Sequence, residues 1–140
     1  MNLRNAKVEL NMKYELLTDA EKVVMKCAWD VGNGFMLSDI IMHVKKVYGK
    51  EWKETTVSTF LSKLVNKEYL EKYRDGKYIH YRIKVDMAEY RKHVMEEFVD
   101  FWYDGNMIML TEDLKDIGMN VGQVLGENGQ IKELSIFDII

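Results

Sequence analysis

Between Lys53 and Lys77 the chain gathers side chains suited to meeting a polyanion. From Thr55 to Lys67 the apolar residues Val57, Phe60, Leu61, Leu64 and Val65 recur at helical spacing and mark one face for burial. The opposite face carries Thr55, Thr56, Ser58, Thr59, Ser62, Lys63, Asn66 and Lys67, with Lys53 at the helix entry and no carboxylate among them. Hydroxyls and amides exchange hydrogen bonds with phosphates and base edges, while ammonium groups neutralise phosphate charge. On that chemistry Lys63 and Lys67 are expected to act chiefly on phosphate, and Thr56, Thr59 and Ser62 to approach bases. Tyr69 to Tyr73 then alternates, Arg74-Asp75-Gly76-Lys77 carries an Asp-Gly turn signal, and Tyr78 to Ile83 alternates again. These residues predict a hairpin whose tip presents Arg74 and Lys77.

Positioning such a surface requires a rigid back. Leu17-Thr18-Asp19-Ala20-Glu21 is a helix start, with Thr18 as N-cap and Glu21 completing a capping box. That helix is expected to run to about Trp29, with Leu17, Val24, Cys27, Ala28 and Val31 available for burial, and Gly32-Asn33-Gly34 breaks it. A second helix, roughly Ser38 to Tyr48, turns Ile40, Ile41, Val44 and Val47 inward and Lys45 and Lys46 outward. Gly49 to Trp52 leads into the polar-faced helix. Three short helices followed by a hairpin give the order of a winged helix-turn-helix, a mainly α fold with a small β-hairpin. The expected partner is double-stranded DNA, with helix 55–67 in the major groove and wing 69–83 on the backbone.

Charge is distributed as this reading requires. From Met42 to Lys84 eleven Lys and Arg outweigh five Asp and Glu, although the whole chain has a net charge of −3. Residues 85–140 hold only four basic side chains against twelve acidic ones, so the basic middle adjoins a segment that repels nucleic acid. Lysines also solvate ordinary exposed faces, but here they coincide with a helix face free of carboxylates.

After Val85 the pattern changes. Met87 to Tyr103 reads as a helix whose Tyr90, Val94, Met95, Phe98, Phe101, Trp102 and Tyr103 exceed what a small domain hides, so a second copy of the chain is the expected cover. Thr111 to Gly118 reads as a short capped helix stopped by glycine. The expected organisation is a DNA-binding domain over 1–85, a helical dimerisation region over 86–118, and a glycine-containing tail over 119–140.

Other chemistry finds little support. Cys27 falls on a buried helix face, where it acts as a small hydrophobe. His43, His80 and His93 sit in three elements without ligand spacing, so no metal site is expected. There is no phosphate-binding glycine loop and no nucleophile–base arrangement, so neither a catalytic residue nor a cofactor is expected. One cysteine fits a reducing cytoplasm, and no apolar run reaches a membrane span.

The residues resemble the penicillinase repressors, the BlaI/MecI family of bacterial regulators, over about Leu17 to Gly105. The marks are Thr18-x-Ala20-Glu21-x-x-Val24-Met25-x-x-x-Trp29, then Trp52-x-x-x-Thr56-Val57-x-Thr59-x-x-x-Lys63-Leu64-x-x-Lys67, the hairpin Asp75-Gly76-Lys77 with Tyr81, and Phe98-x-x-x-x-Tyr103-x-Gly105. The resemblance implies a homodimeric transcriptional repressor on a palindromic operator, with its C-terminal helices forming the dimer. Departures accompany it. Glu68 stands where the family usually ends its recognition helix with Gly, which predicts a missing or differently made left-handed cap. Thr55 replaces a common Lys or Arg. Met109 to Leu114 contains no Asn-Phe bond for signal-activated proteolysis, and the paired Cys-x-Cys motifs of the copper-responsive branch are absent. Two other readings stay open: a winged-helix module that binds protein, and a regulator with an effector pocket at the dimer helices. A sensor protease or small-molecule effector would be the further partner, of unknown identity.

Overall fold

In the computed structural model, which describes residues 14–119, the first helix forms because its first turn satisfies itself. Helix α1 (Asp19–Val31) carries the expected capping box. The Glu21 N–H donates to Thr18 Oγ1 at 3.2 Å, and the Thr18 N–H donates to Glu21 Oε1 at 2.8 Å. Helix α2 (Leu37–Tyr48) begins one residue before the expected Ser38, because the Asp39 carboxylate accepts from the Met36 N–H at 2.8 Å. It ends at Gly49 in the left-handed conformation. Helix α3 (Glu54–Asn66) follows, then strands β1 (Leu70–Asp75) and β2 (Tyr78–Ile83).

The three helices close over one core. Val24, Met25, Cys27 and Ala28 of α1 meet Ile40 and Val44 of α2 and Val57, Leu61 and Leu64 of α3, all without solvent exposure. Tyr69, Leu70, Tyr81 and Val85 seal the hairpin side. Two residues expected inward are not there: Val31 and Val47 are 41% and 53% exposed, because each lies in the last turn of a helix that runs past the core.

The hairpin is antiparallel, with Leu70 opposite Ile83 and Asp75 opposite Tyr78. Asp75 therefore closes the ladder, and the loop is Gly76-Lys77, not the expected Asp75-Gly76. Gly76, at φ 64°, is the first loop residue, a place that favours glycine in two-residue hairpins. The loop after α1 is stitched to β2. The Tyr81 N–H donates to the Phe35 carbonyl at 2.8 Å, the Gly34 N–H donates to the Tyr81 carbonyl at 2.9 Å, and the Ile83 N–H donates to Asn33 Oδ1 at 2.8 Å. This bridge at Phe35 gives the wing a minimal third edge.

The cap of α3 is differently made, one of the two outcomes that Glu68 in place of glycine leaves open. Glu68 adopts φ 68°, a left-handed conformation, without being glycine. Its N–H donates to the Val65 carbonyl at 3.1 Å, and the Tyr69 N–H donates to the Leu64 carbonyl at 3.0 Å. Those two bonds are a Schellman cap, so the motif is present and built on glutamate. The Glu68 carboxylate, ion-paired with Lys84, raises the Lys84 pKa.

Helix α4 (Met87–Tyr103) begins within a compact unit that ends at His93 and continues into a second unit that takes up the chain at Val94. In the first unit its Tyr90 ring meets Trp29, Tyr69 and Tyr14, and the Trp29 indole N–H donates to the Val85 carbonyl at 2.9 Å. In the second, helix α5 (Met107–Asp116) is capped by the Asn106 side chain, which accepts from Ile108 and Met109 N–H groups. The helix thus starts four residues before the expected Thr111, whose hydroxyl instead donates to the Met107 carbonyl. Gly118 ends it, as the sequence suggests. Expectations about the tail beyond Met119 lie outside the described residues.

Candidate nucleic-acid interface

Helix α3 separates its two faces as its spacing requires. With Val57, Leu61 and Leu64 buried, Thr55, Ser58, Thr59, Ser62, Lys63 and Asn66 are exposed and Thr56 is half-buried. Lys53 is exposed at the N-cap, though its side chain makes no cap bond. The Thr59 hydroxyl donates to the Thr55 carbonyl at 2.9 Å, which leaves its oxygen lone pairs to accept from an exocyclic base amine. Arg74 and Lys77 are exposed at the hairpin tip, and the Lys77 ammonium lies 5.2 Å from the centre of the Tyr78 ring.

Lys67 does not belong to this surface. Its ammonium donates to Glu21 Oε1 at 2.7 Å and to the Leu16 carbonyl at 2.9 Å, and its side chain is only 19% exposed. The reason is periodicity. Lys67 follows Leu64 by three residues and so continues the buried stripe of α3, while Glu21 precedes Val24 by three and begins the buried stripe of α1. Burial pushes the Glu21 carboxyl up, but the Lys67 ammonium and the Thr18 bonds more than offset it, leaving the pKa below its ordinary value. The pair ties the end of α3 to the start of α1.

Two residues of this face were missed. Lys72 of β1 lines a cleft of about 120 Å³ with Ser62, Val65, Asn66 and Tyr81, which joins the end of α3 to the wing. Its signal was the lysine itself, one alternation step from Arg74. Glu54 is the other: α3 starts one residue earlier than expected, so a carboxylate lies in its first turn, bordering a shallow groove with Leu37, Thr55, Ser58 and Thr59.

The proposed interface aromatics divide between the two units. Tyr90 is half-buried against the first unit's core, apart from the exposed apolar side chains that follow it in α4. In the second unit Val94, Met95, Phe98, Phe101 and Trp102 are exposed, with Trp102 at 66%, and Tyr103 is half-buried with its hydroxyl donating to Asp113 at 2.8 Å. No described residue from Val94 to Met119 is buried.

The remaining polar candidates are spent locally. His43 pairs with Asp30 at 3.1 Å, His80 Nδ1 lies 2.8 Å from the Gly34 carbonyl, and His93 is buried beside Tyr14. Among the described residues no group of His, Cys, Asp and Glu could hold a metal ion. Burial and the Asp30 charge push the Cys27 thiol up to about 11, which suppresses its thiolate. An apolar cleft of about 290 Å³, lined by Leu17, Val23, Trp29 and Tyr48 with Lys22 and Lys26, and by Tyr90 of α4, lies within the first unit. No helix among the described residues is long and apolar enough to cross a membrane.

Comparison with known proteins adds a family. The penicillinase repressor family profile matches residues 17–116. The penicillinase repressor of Bacillus licheniformis is 24% identical over 121 residues, which is 86% of this chain and 92% of that protein. Among solved structures, the DNA-binding domain of the repressor BlaI is 27% identical with a TM-score of 0.47, covering 56% of this chain and 92% of that one. The monomeric form of Bacillus licheniformis BlaI in complex with the blaP half-operator is 26% identical with a TM-score of 0.45 and the same coverage. The AntR antimony-specific transcriptional repressor is 21% identical with a TM-score of 0.42, covering 76% of this chain and 87% of that one.

Proposed function

The chain belongs to the penicillinase repressor family, and we propose that it is a DNA-binding transcriptional repressor acting as a homodimer on a palindromic operator. The observation that carries this reading is the exposed face of α3. Six hydroxyl, amide and ammonium side chains (Thr55, Ser58, Thr59, Ser62, Lys63 and Asn66) stand on a helix whose opposite side buries Val57, Leu61 and Leu64. In this reading α3 lies in the major groove, where Ser58, Thr59 and Ser62 meet base edges and Lys63 meets phosphate. Arg74 and Lys77 of the wing, with Lys53 and Lys72, hold the backbone and fix the register.

Recognition of a palindrome needs two such helices roughly one duplex turn apart, about 34 Å. The residues from Val94 to Met119 supply the clamp, because they expose large apolar side chains and bury none within their own chain. Phe98 and Trp102 are its central anchors. Repression then follows from occupancy of an operator. A salt titration of the full-length protein on DNA from upstream of its own gene tests the reading. Log affinity should fall steeply with log salt, by about 0.9 per neutralised phosphate. Binding that is weak and independent of salt would overturn it.

A further inference from the structure

The carboxylates of the basic segment are not treated alike. Between Met42 and Lys84, Glu51 pairs with Lys45 at 3.3 Å, Glu71 pairs with Arg82 at 3.3 Å, and Glu68 pairs with Lys84. Asp75 closes the hairpin ladder opposite Tyr78. Glu54 alone stands on the base-reading face of α3, exposed, and among the described residues it forms no ion pair. It shares its groove with Thr55, Ser58 and Thr59, three of the residues assigned to DNA. An unpaired negative charge there is repelled by every phosphate unless it finds a donor on the nucleic acid.

We propose that Glu54 is a specificity-determining residue that accepts a hydrogen bond from a cytosine amine in the major groove, an inference that rests on the repressor reading above. An ionised carboxylate only accepts. Guanine offers it O6 and N7, both acceptors, and thymine offers an acceptor and a methyl group, so both repel it. Adenine sets its amine beside the N7 acceptor. Cytosine presents N4–H without an acceptor toward the groove centre of its own ring edge, and it is the base that carboxylates pair with. The place on the helix agrees, since the N-terminal residues of a recognition helix are those that reach base edges. A repelled charge contributes by rejecting guanine and thymine and disfavouring adenine: it weakens binding everywhere and least at cytosine.

A carboxylate in the first turn also stabilises its helix through the backbone dipole, so the test separates stability from sequence preference. Random duplexes are selected with the full-length protein and with its Glu54→Ala and Glu54→Gln variants, and each protein is also melted thermally. The wild type should enrich cytosine at one position of each half-site, by about tenfold over other bases. Glu54→Ala should lose that preference, keep the rest of the pattern, and bind random DNA more tightly. Glu54→Gln, which can both donate and accept, should shift the same position toward adenine. An unchanged base preference in Glu54→Ala, whatever its melting temperature or affinity, would overturn the proposal and leave Glu54 a helix stabiliser. If the wild type enriches no sequence, the repressor reading itself fails and takes the proposal with it.

Discussion

Replacing Lys67 by Met tests whether this lysine serves the fold or the DNA. Its ammonium is 2.7 Å from a Glu21 carboxylate whose side chain is fully buried, and its own side chain is 19% exposed. Removing the cation leaves Glu21 with only its capping bonds to Thr18. Breaking one side of a buried pair costs about 3–5 kcal/mol. In a domain this small that lowers the melting temperature by on the order of 20 °C. The pH dependence carries its own sign. In the wild type the Glu21 pKa is held below its ordinary 4.5, so its contribution is present above that value and lost as pH falls through the folded pKa. In Lys67→Met the uncompensated carboxylate is raised above its ordinary value, so the variant gains stability as pH falls, and its deficit at pH near 5 should be smaller than at neutral pH. Adding Glu21→Leu should restore most of the loss, since a buried pair exchanges well for apolar groups. Melts followed by circular dichroism at the two pH values provide the assay. A loss under about 1 kcal/mol, the size of an exposed pair, together with a salt slope lowered by about one unit, would return Lys67 to the phosphates and remove it from the fold's buried pair.

Lys63→Ala, by contrast, should leave the melting temperature nearly unchanged and lower the salt slope by about 0.9 in an anisotropy titration. Reversing Arg74 and Lys77 to Glu should abolish operator binding at moderate salt while sedimentation still shows the native oligomer. Phe98→Ala with Trp102→Ala should yield monomers by sedimentation whose winged-helix unit keeps its cooperative melt, because its core is separate, with operator affinity reduced by at least about a hundredfold. Glu68→Gly should raise stability by about 0.5–1 kcal/mol in denaturant melts, because a left-handed conformation strains any residue with a Cβ.

Local signals made much of this fold legible. The Thr18–Glu21 capping box, the apolar stripes of three helices and the glycine of the hairpin loop each act within a few residues, and sequence spacing displays such effects directly. What escaped was set by partners distant in the chain. Lys67 looks like one more lysine on a polar face until Glu21 is brought beside it. Both residues nevertheless sit on buried stripes, so the pairing could be read from two periodicities taken together. Tyr90 looks like its aromatic neighbours in α4, but the ring environment of Trp29 and Tyr69 claims it. Glu68 in place of glycine leaves a missing and a differently made cap equally open from sequence; the hydrogen bonds to the Val65 and Leu64 carbonyls, which hold the glutamate in the left-handed conformation, decide for the second. Glu54 was missed because the helix began one residue early, a shift within ordinary uncertainty about helix ends.

Repression in this reading requires the polar face of α3 to lie in a major groove, twice, on a symmetric site. Methylation interference at guanine N7, combined with hydroxyl-radical footprinting of the full-length protein on its selected duplex, measures this directly. Two patches of major-groove interference about one helical turn apart are expected, each flanked by backbone protection that shrinks when Arg74 and Lys77 are reversed. Uniform protection without major-groove interference, or protection unaltered by changes at Ser58, Thr59 and Lys63, would contradict it.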